Sequence, residues 1–175
     1  MLEIQALVQW ISSLISQYLY AGVFAAAIIE TVFPPIPTVA VFPLAGYIAS
    51  QNHMSLLEVI GLGIAGGTGA TIGSTIIYFV CIKLGRIALV RYLRYAKITD
   101  ERLAKIEKWF EKYGEKVVFF GRMVPVLREL VSIPAGLLRM KSTKFITYTF
   151  FGSCVWSVAL TLVGYYFGLV TFQFF

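Results

Sequence analysis

The sequence predicts an all-α polytopic membrane protein made of two inverted repeats. Each repeat is expected to carry an interfacial amphipathic helix, a proline-broken re-entrant hairpin and a transmembrane helix. Three observations predict this. Of 175 residues, 58% are hydrophobic and 14% charged, with mean hydropathy +0.79, whereas soluble domains run at roughly 45–50% and about 25%. All fifteen Lys and Arg residues fall between Lys83 and Lys144, and none in residues 1–82. Two apolar stretches are interrupted by proline before reaching the length of about 20 residues that a spanning helix needs.

Residues 1–17 are mildly amphipathic, with Gln5, Gln9, Ser12, Ser13 and Ser16 breaking the apolar run, which suits a helix lying at the interface. Glu3 and the absence of a basic n-region speak against a cleaved signal peptide. Tyr18 to Phe33 is apolar, Pro34, Pro35 and Pro37 interrupt it, and Thr38 to Ser50 is apolar again. Three prolines in four residues cannot continue a helix, so the pair of arms reads as a re-entrant hairpin. Leu56 to Ile82 carries one charge, Glu58, and is the clearest transmembrane helix. Its glycines at 63 and 67, and at 69 and 73, have the small-xxx-small spacing that lets helix backbones approach closely.

Lys83 to Lys116 changes character, with ten basic and five acidic residues. Leu103, Ile106, Phe110 and Tyr113 recur at helical spacing, with Thr99 as an N-cap and Gly114 as a stop. That pattern predicts a basic amphipathic helix on the membrane surface. Val117 to Leu138 is apolar but holds Pro125 and Pro134, and basic residues flank it on both sides. If both flanks are cytoplasmic, the segment enters and leaves by one face as a second re-entrant hairpin. Phe145 to about Phe172 is the last span, with a close-packing pair at Gly164 and Gly168.

The chain therefore reads as one membrane domain over 1–175, with repeat 1 over 1–82 and repeat 2 over 83–175. Pro43-Leu44-Ala45-Gly46 in the first echoes Pro134-Ala135-Gly136 in the second, and all of these are expected at hairpin breaks together with Pro125. Since Lys and Arg are retained on the cytoplasmic side, residues 83–116 and 139–144 are placed there, in a multi-pass protein of the cell membrane. Repeats of opposite orientation with broken helices are a transporter signature. The net charge of +6 does not mark a nucleic-acid binder, because it is confined to these flanks. Cys81 and Cys154 sit singly in apolar runs and read as packing thiols, so neither a metal nor a cofactor is expected.

Glu30, Arg122, Arg128 and Glu129 are the ionisable residues inside the hairpins. Each costs about 2.5–3.5 kcal/mol at a helix centre, so they must pair, line a wet cavity or meet a charged ligand. Pro125 between the arginines breaks the helical geometry that would make them diverge. Two converging guanidinium forks match the oxygens of a phosphate, with Glu30 and Glu129 as countercharges or proton carriers. The alternative is an internal salt-bridge cluster, Glu30 with one arginine and Glu129 with the other.

Several stretches resemble the DedA family, which shares the VTT, or SNARE-associated, domain. They are Glu30-Thr31-Val32-Phe33-Pro34-Pro35-Ile36-Pro37, Pro43 to Gly46, Gly73 to Tyr78, Leu84-Gly85-Arg86, Phe120-Gly121-Arg122 through Pro125, Arg128, and Pro134 to Gly136. Gly152, Trp156 and Gly164-Tyr165 follow. The resemblance implies two inverted re-entrant hairpins and translocation of lipid-linked phosphates such as undecaprenyl phosphate, or of phospholipids. It places Glu30, Arg122 and Arg128 at functional positions. It also implies proton coupling, but Thr38, Val39 and Ser74 stand where acidic residues are common in the family.

The leading expectation is thus a flippase-like transporter, partnered by a lipid-linked phosphate and membrane lipids. The alternative is a transporter of small solutes coupled to protons or monovalent cations. An enzyme such as a lipid phosphatase is disfavoured, since His53 is alone in a polar turn and no clustered carboxylates could hold Mg²⁺. A scaffold resting on the glycine faces, and the oligomeric state, stay open.

Overall fold

The computed structural model describes residues 18–32, 38–95, 108–110, 112–125 and 127–167. Among these residues the structure consists of helices joined by turns, without strands. In chain order the helices are α1 (Tyr18–Val32), α2 (Thr38–Gln51), α3 (Leu56–Tyr95), α4 (Lys116–Gly121), α5 (Leu127–Leu130), α6 (Ser132–Leu137) and α7 (Ser142–Phe167). The expected surface helix of residues 1–17, the Pro34-Pro35-Pro37 break, Thr99, Leu103 and Ile106 of the basic amphipathic helix, and Gly168 lie outside the described residues.

Two helices are long and apolar enough to cross a membrane, Leu56–Lys83 within α3 and Ser142–Phe167. The start of α3 is marked by a reciprocal cap. Ser55 N–H donates to Glu58 Oε2 at 2.8 Å while Glu58 N–H donates to Ser55 Oγ at 3.4 Å, satisfying two of the donors a helix start leaves unpaired. The two spanning helices run antiparallel, because Gly63 lies against Val158 and Gly67 against Cys154. Further along, the Tyr78 and Phe145 rings stack at 4.3 Å.

The glycine stripes divide the work. A Cβ on Gly63 or Gly67 would come within 2.7 Å of a Cα atom of α7, so that face serves the other spanning helix. Gly69 and Gly73 instead lie against Phe24, Ile28 and Thr31 of α1. With Gly46 against the Thr161 carbonyl and Gly164 against the Pro43 carbonyl, α2 and α7 also touch backbone to backbone. In lipid, where apolar burial drives little association, such close packing is what holds helices together.

These contacts order the shorter helices in two groups, α1–α2 and α4–α6, called the two helix pairs for their two arms. The start of α1 and the end of α2 sit at the N-terminal end of α3, where Tyr20 hydroxyl donates to the Glu58 carbonyl at 2.9 Å. Segment α4–α6 begins and ends at the opposite end, where Lys144 in the first turn of α7 pairs with Glu115 before α4 at 2.7 Å. One hydrophobic cluster forms around each pair. The first joins Val23, Ala26, Phe42, Ala45 and Leu62, and the second joins Tyr78, Val118, Ile133, Ala135 and Phe145.

The exits from the two pairs are built alike. After α2, His53 has φ 52° and Met54 N–H reaches back to the Ala49 carbonyl at 3.1 Å; after α6, Arg139 has φ 51° and Met140 N–H reaches the Ala135 carbonyl at 3.0 Å. Both are helix stops of the Schellman type, with a left-handed residue just past the end. A tyrosine then binds each exit: Tyr165 hydroxyl donates to the Met54 carbonyl at 2.8 Å, and Tyr78 hydroxyl donates to the Met140 carbonyl. Each tyrosine belongs to the spanning helix that does not follow the exit it binds.

Three expectations require correction. Pro43 and Gly46 do not break the chain but lie inside α2. Neighbouring helices can re-satisfy the one carbonyl that a membrane proline releases, and Gly46 is there for close approach. Pro134 and Gly136 likewise lie inside α6; Pro134 occupies the first turn, where a missing N–H is cheap, and Gly136 faces the Tyr78 carbonyl. Pro125 does interrupt, since residues 122–125 are turn between α4 and α5. Finally, the change of composition at Lys83 is no helix end: α3 continues to Tyr95, because charge alters where a helix lies without removing its internal hydrogen bonds. Gly114 meets its expectation, with φ 61° and its N–H on the Phe110 carbonyl at 2.9 Å.

Candidate functional site

The proline interruption at 122–125 sets two arginines at the innermost part of α4–α6. Arg122 follows α4, its stem packed against Gly152 of α7, and Arg128 lies in α5. They are 3% and 5% exposed. Glu30, near the end of α1, is fully buried and makes an ion pair with Arg128 through Oε1 and Nη2. The pair joins the first group of helices to the second. Arg122 is held differently: Nη1 donates to Ser74 Oγ of α3 and Nη2 to Ser132 Oγ of α6, each at 2.7 Å. Ser74 passes its own proton to the Ala70 carbonyl at 2.7 Å, which leaves its oxygen lone pairs toward the guanidinium.

Each arginine also lies over a ring, Arg122 at 6.0 Å from the Phe145 centroid and Arg128 at 5.8 Å from that of Phe42. At that range the negative ring face stabilises a desolvated cation. Both arginines line one small cavity with Thr31, Phe42, Ser153 and Trp156; its volume is about 10 Å³, room for about one water molecule. A phosphate group does not fit into it unless the walls part. Thr149, wholly buried on α7, has a hydroxyl with no hydrogen-bond partner among the described residues.

The structure thus brings together Glu30, Arg122 and Arg128, and pairs Glu30 with Arg128. The side chain of Glu129 lies outside the described residues, and its expected pairing with an arginine lies outside them too. Ser132, Phe42 and Phe145 had no signal in the sequence, being brought in by packing alone, while Trp156 was flagged only by the family resemblance. Ser74 did have one, as the place where the family resemblance points to an acidic residue. Among the described residues no group of three or more His, Cys, Asp or Glu is placed to hold a metal ion.

Apolar helices of spanning length around a buried cluster of paired charges define an integral helical membrane protein. The VTT domain model matches residues 36–166, and the chain belongs to that family, the DedA proteins. It is 32% identical over 160 residues to undecaprenyl phosphate transporter A of Staphylococcus aureus, covering 89% of this chain and 77% of the relative. It is 36% identical over 145 residues to undecaprenyl phosphate transporter A of Bacillus subtilis, covering 83% and 70%. A Lactococcus lactis relative named alkaline phosphatase-like protein is 33% identical over 159 residues, covering 88% and 73%. No solved structure matches.

Proposed function

We propose that this protein moves a lipid-linked phosphate across the membrane, Arg122 and Arg128 holding the phosphate while the apolar tail stays in lipid. The observation that carries the reading is one cavity lined by two buried arginines, one of which takes its countercharge from the opposite helix pair. The Staphylococcus and Bacillus relatives, named as undecaprenyl phosphate transporters, support the same class of substrate. A polyprenyl phosphate such as undecaprenyl phosphate is the leading substrate, and a phospholipid the next.

In this reading α1–α2 and α4–α6 are re-entrant hairpins of two inverted repeats, entering from opposite faces. The paired exits, each bound by a tyrosine, and the antiparallel spanning helices support that assignment. The basic segments 83–116 and 139–144 lie on the cytoplasmic side. An arriving phosphate takes the place of the Glu30 carboxylate on Arg128, because two anions cannot share one guanidinium without repulsion. Glu30 then moves aside or takes up a proton, and with it the tie between the hairpins opens. Arg122, with the Ser74 and Ser132 hydroxyls on its two Nη atoms, is the other arm of the phosphate site. Glu129 is a second candidate countercharge.

The test is transbilayer movement of a fluorescent polyprenyl phosphate in liposomes. Wild type is expected to move it and Arg122→Ala/Arg128→Ala not to, at matched amounts of folded protein. Equal movement by both proteins would sink the phosphate site. A second reading, coupled transport of protons or monovalent cations with a small solute, is favoured by the volume of the cavity, which suits water and not phosphate. It predicts a pH change or current in sealed vesicles without any lipid substrate.

A further inference from the structure

Beside the closed arginine cavity lies a wide, half-open groove of about 800 Å³, within the range of roughly 300–1,000 Å³ typical of ligand sites. The wall between them is α4. Gly121 lines the groove, and the next residue, Arg122, lines the cavity. At one end of the groove stand Lys112 and Lys116, both exposed. Lys112 Nζ sits 5.1 Å over the Tyr113 ring. Among the described residues neither lysine pairs with a carboxylate, while nearby Lys144 is neutralised by Glu115.

The groove's rim and floor differ from a solvated protein surface. Trp109 and Tyr113, 42% and 56% exposed, flank the lysines, as aromatic side chains do at the level of lipid headgroups. Further along the chain, Phe120, Val124 and Leu127 supply an apolar lining. Phe120 is 62% exposed, a large apolar surface. Two ammonium groups match a phosphate monoester, which carries about −1.5 to −2 at neutral pH, better than the single charge of a phosphodiester lipid.

We infer that this groove binds a single-chain lipid phosphate, headgroup on Lys112 and Lys116 and chain along Phe120, Val124 and Leu127, as the docking site from which substrate reaches Arg122. The docking role rests on the transport reading above; the binding site stands on its own charge and shape. The cytoplasmic leaflet is then the one the groove serves.

The experiment uses the full chain in phosphatidylcholine liposomes with farnesyl monophosphate bearing a terminal diazirine, followed by photolysis and peptide mass spectrometry. Adducts are expected on the peptide holding Phe120, Val124 and Leu127. Lys112→Glu/Lys116→Glu should cut labelling by roughly tenfold or more, given the worth of a basic residue near an anionic headgroup, while Lys112→Arg/Lys116→Arg retains it. Arg122→Ala/Arg128→Ala should leave groove labelling within about twofold. Labelling that survives the charge reversal, or that phosphatidylglycerol at the same concentration displaces as well as unlabelled farnesyl phosphate does, overturns the site. So does its absence in the wild type, as when the chain's own preceding segment fills the groove. Labelling in a protein that moves no lipid overturns the transport reading alone, and lipid movement without groove labelling overturns the groove alone.

Discussion

Arg122 and Arg128 share one cavity, both buried and both over an aromatic ring, yet the described groups that hold them are of opposite kinds. Arg128 is held by a carboxylate from α1, and Arg122 by hydroxyls of α3 and α6. A carboxylate cancels charge as well as positioning it, whereas a hydroxyl orients a cation and leaves its charge in force. Among the described contacts, Arg128 is tied to α1 and Arg122 to α3 and α6.

The sharpest way to break the comparison is Glu30→Ala. It strands the Arg128 cation in the interior, and removal of one partner of a buried pair costs about 3–5 kcal/mol. Thermal unfolding in detergent should show a large loss, mostly recovered when Arg128→Met accompanies it. Unfolding at the wild-type temperature would mean that the pair does not join the two groups of helices. Arg122→Ala is expected to cost less, about 1–3 kcal/mol, since its described partners are hydroxyls, while abolishing lipid movement. If it destabilises more than Glu30→Ala, the two arginines have been assigned the wrong way round.

Ser74→Asp sharpens the contrast by giving Arg122 the kind of partner that Arg128 has. A carboxylate there competes with the phosphate, and like-charge juxtaposition costs enough to slow lipid movement by roughly tenfold or more at neutral pH. Acidification, by protonating the new carboxyl, should restore part of the rate; a variant as fast as wild type would show that Arg122 does not meet the anion. Ser132→Ala is the mildest change, about 1 kcal/mol for one hydrogen bond, with a severalfold slower rate as Arg122 loses half of its described anchorage. A rate unchanged within error would leave Ser74 as the sole anchor that matters.

What the sequence revealed follows from which forces leave a periodic trace. Apolar runs mark α1, α3 and α7, and the stripes at Gly63, Gly67, Gly69 and Gly73 announce close neighbours. The arginines, flagged by the cost of burying them, do converge on one cavity. Partners were legible only in part. That Ser132 reaches Arg122 depends on how the turn at Pro125 folds α4 back on α6, and nothing in the spacing encodes it. Pro43 and Pro134 misled because a proline signals a missing N–H, not the neighbouring helices that make its loss tolerable. The continuation of α3 to Tyr95 was hidden by a change of charge that has no bearing on backbone hydrogen bonding.

The two exit tyrosines have a mechanical consequence. Tyr165 at one end and Tyr78 at the other each tether a group of short helices to the spanning helix it does not lead into. On the transport reading proposed above, motion of either group of helices releases its own phenolic latch while the other, roughly 30 Å away if a bilayer's thickness separates them, stays fastened, so the two ends can be unlocked one at a time.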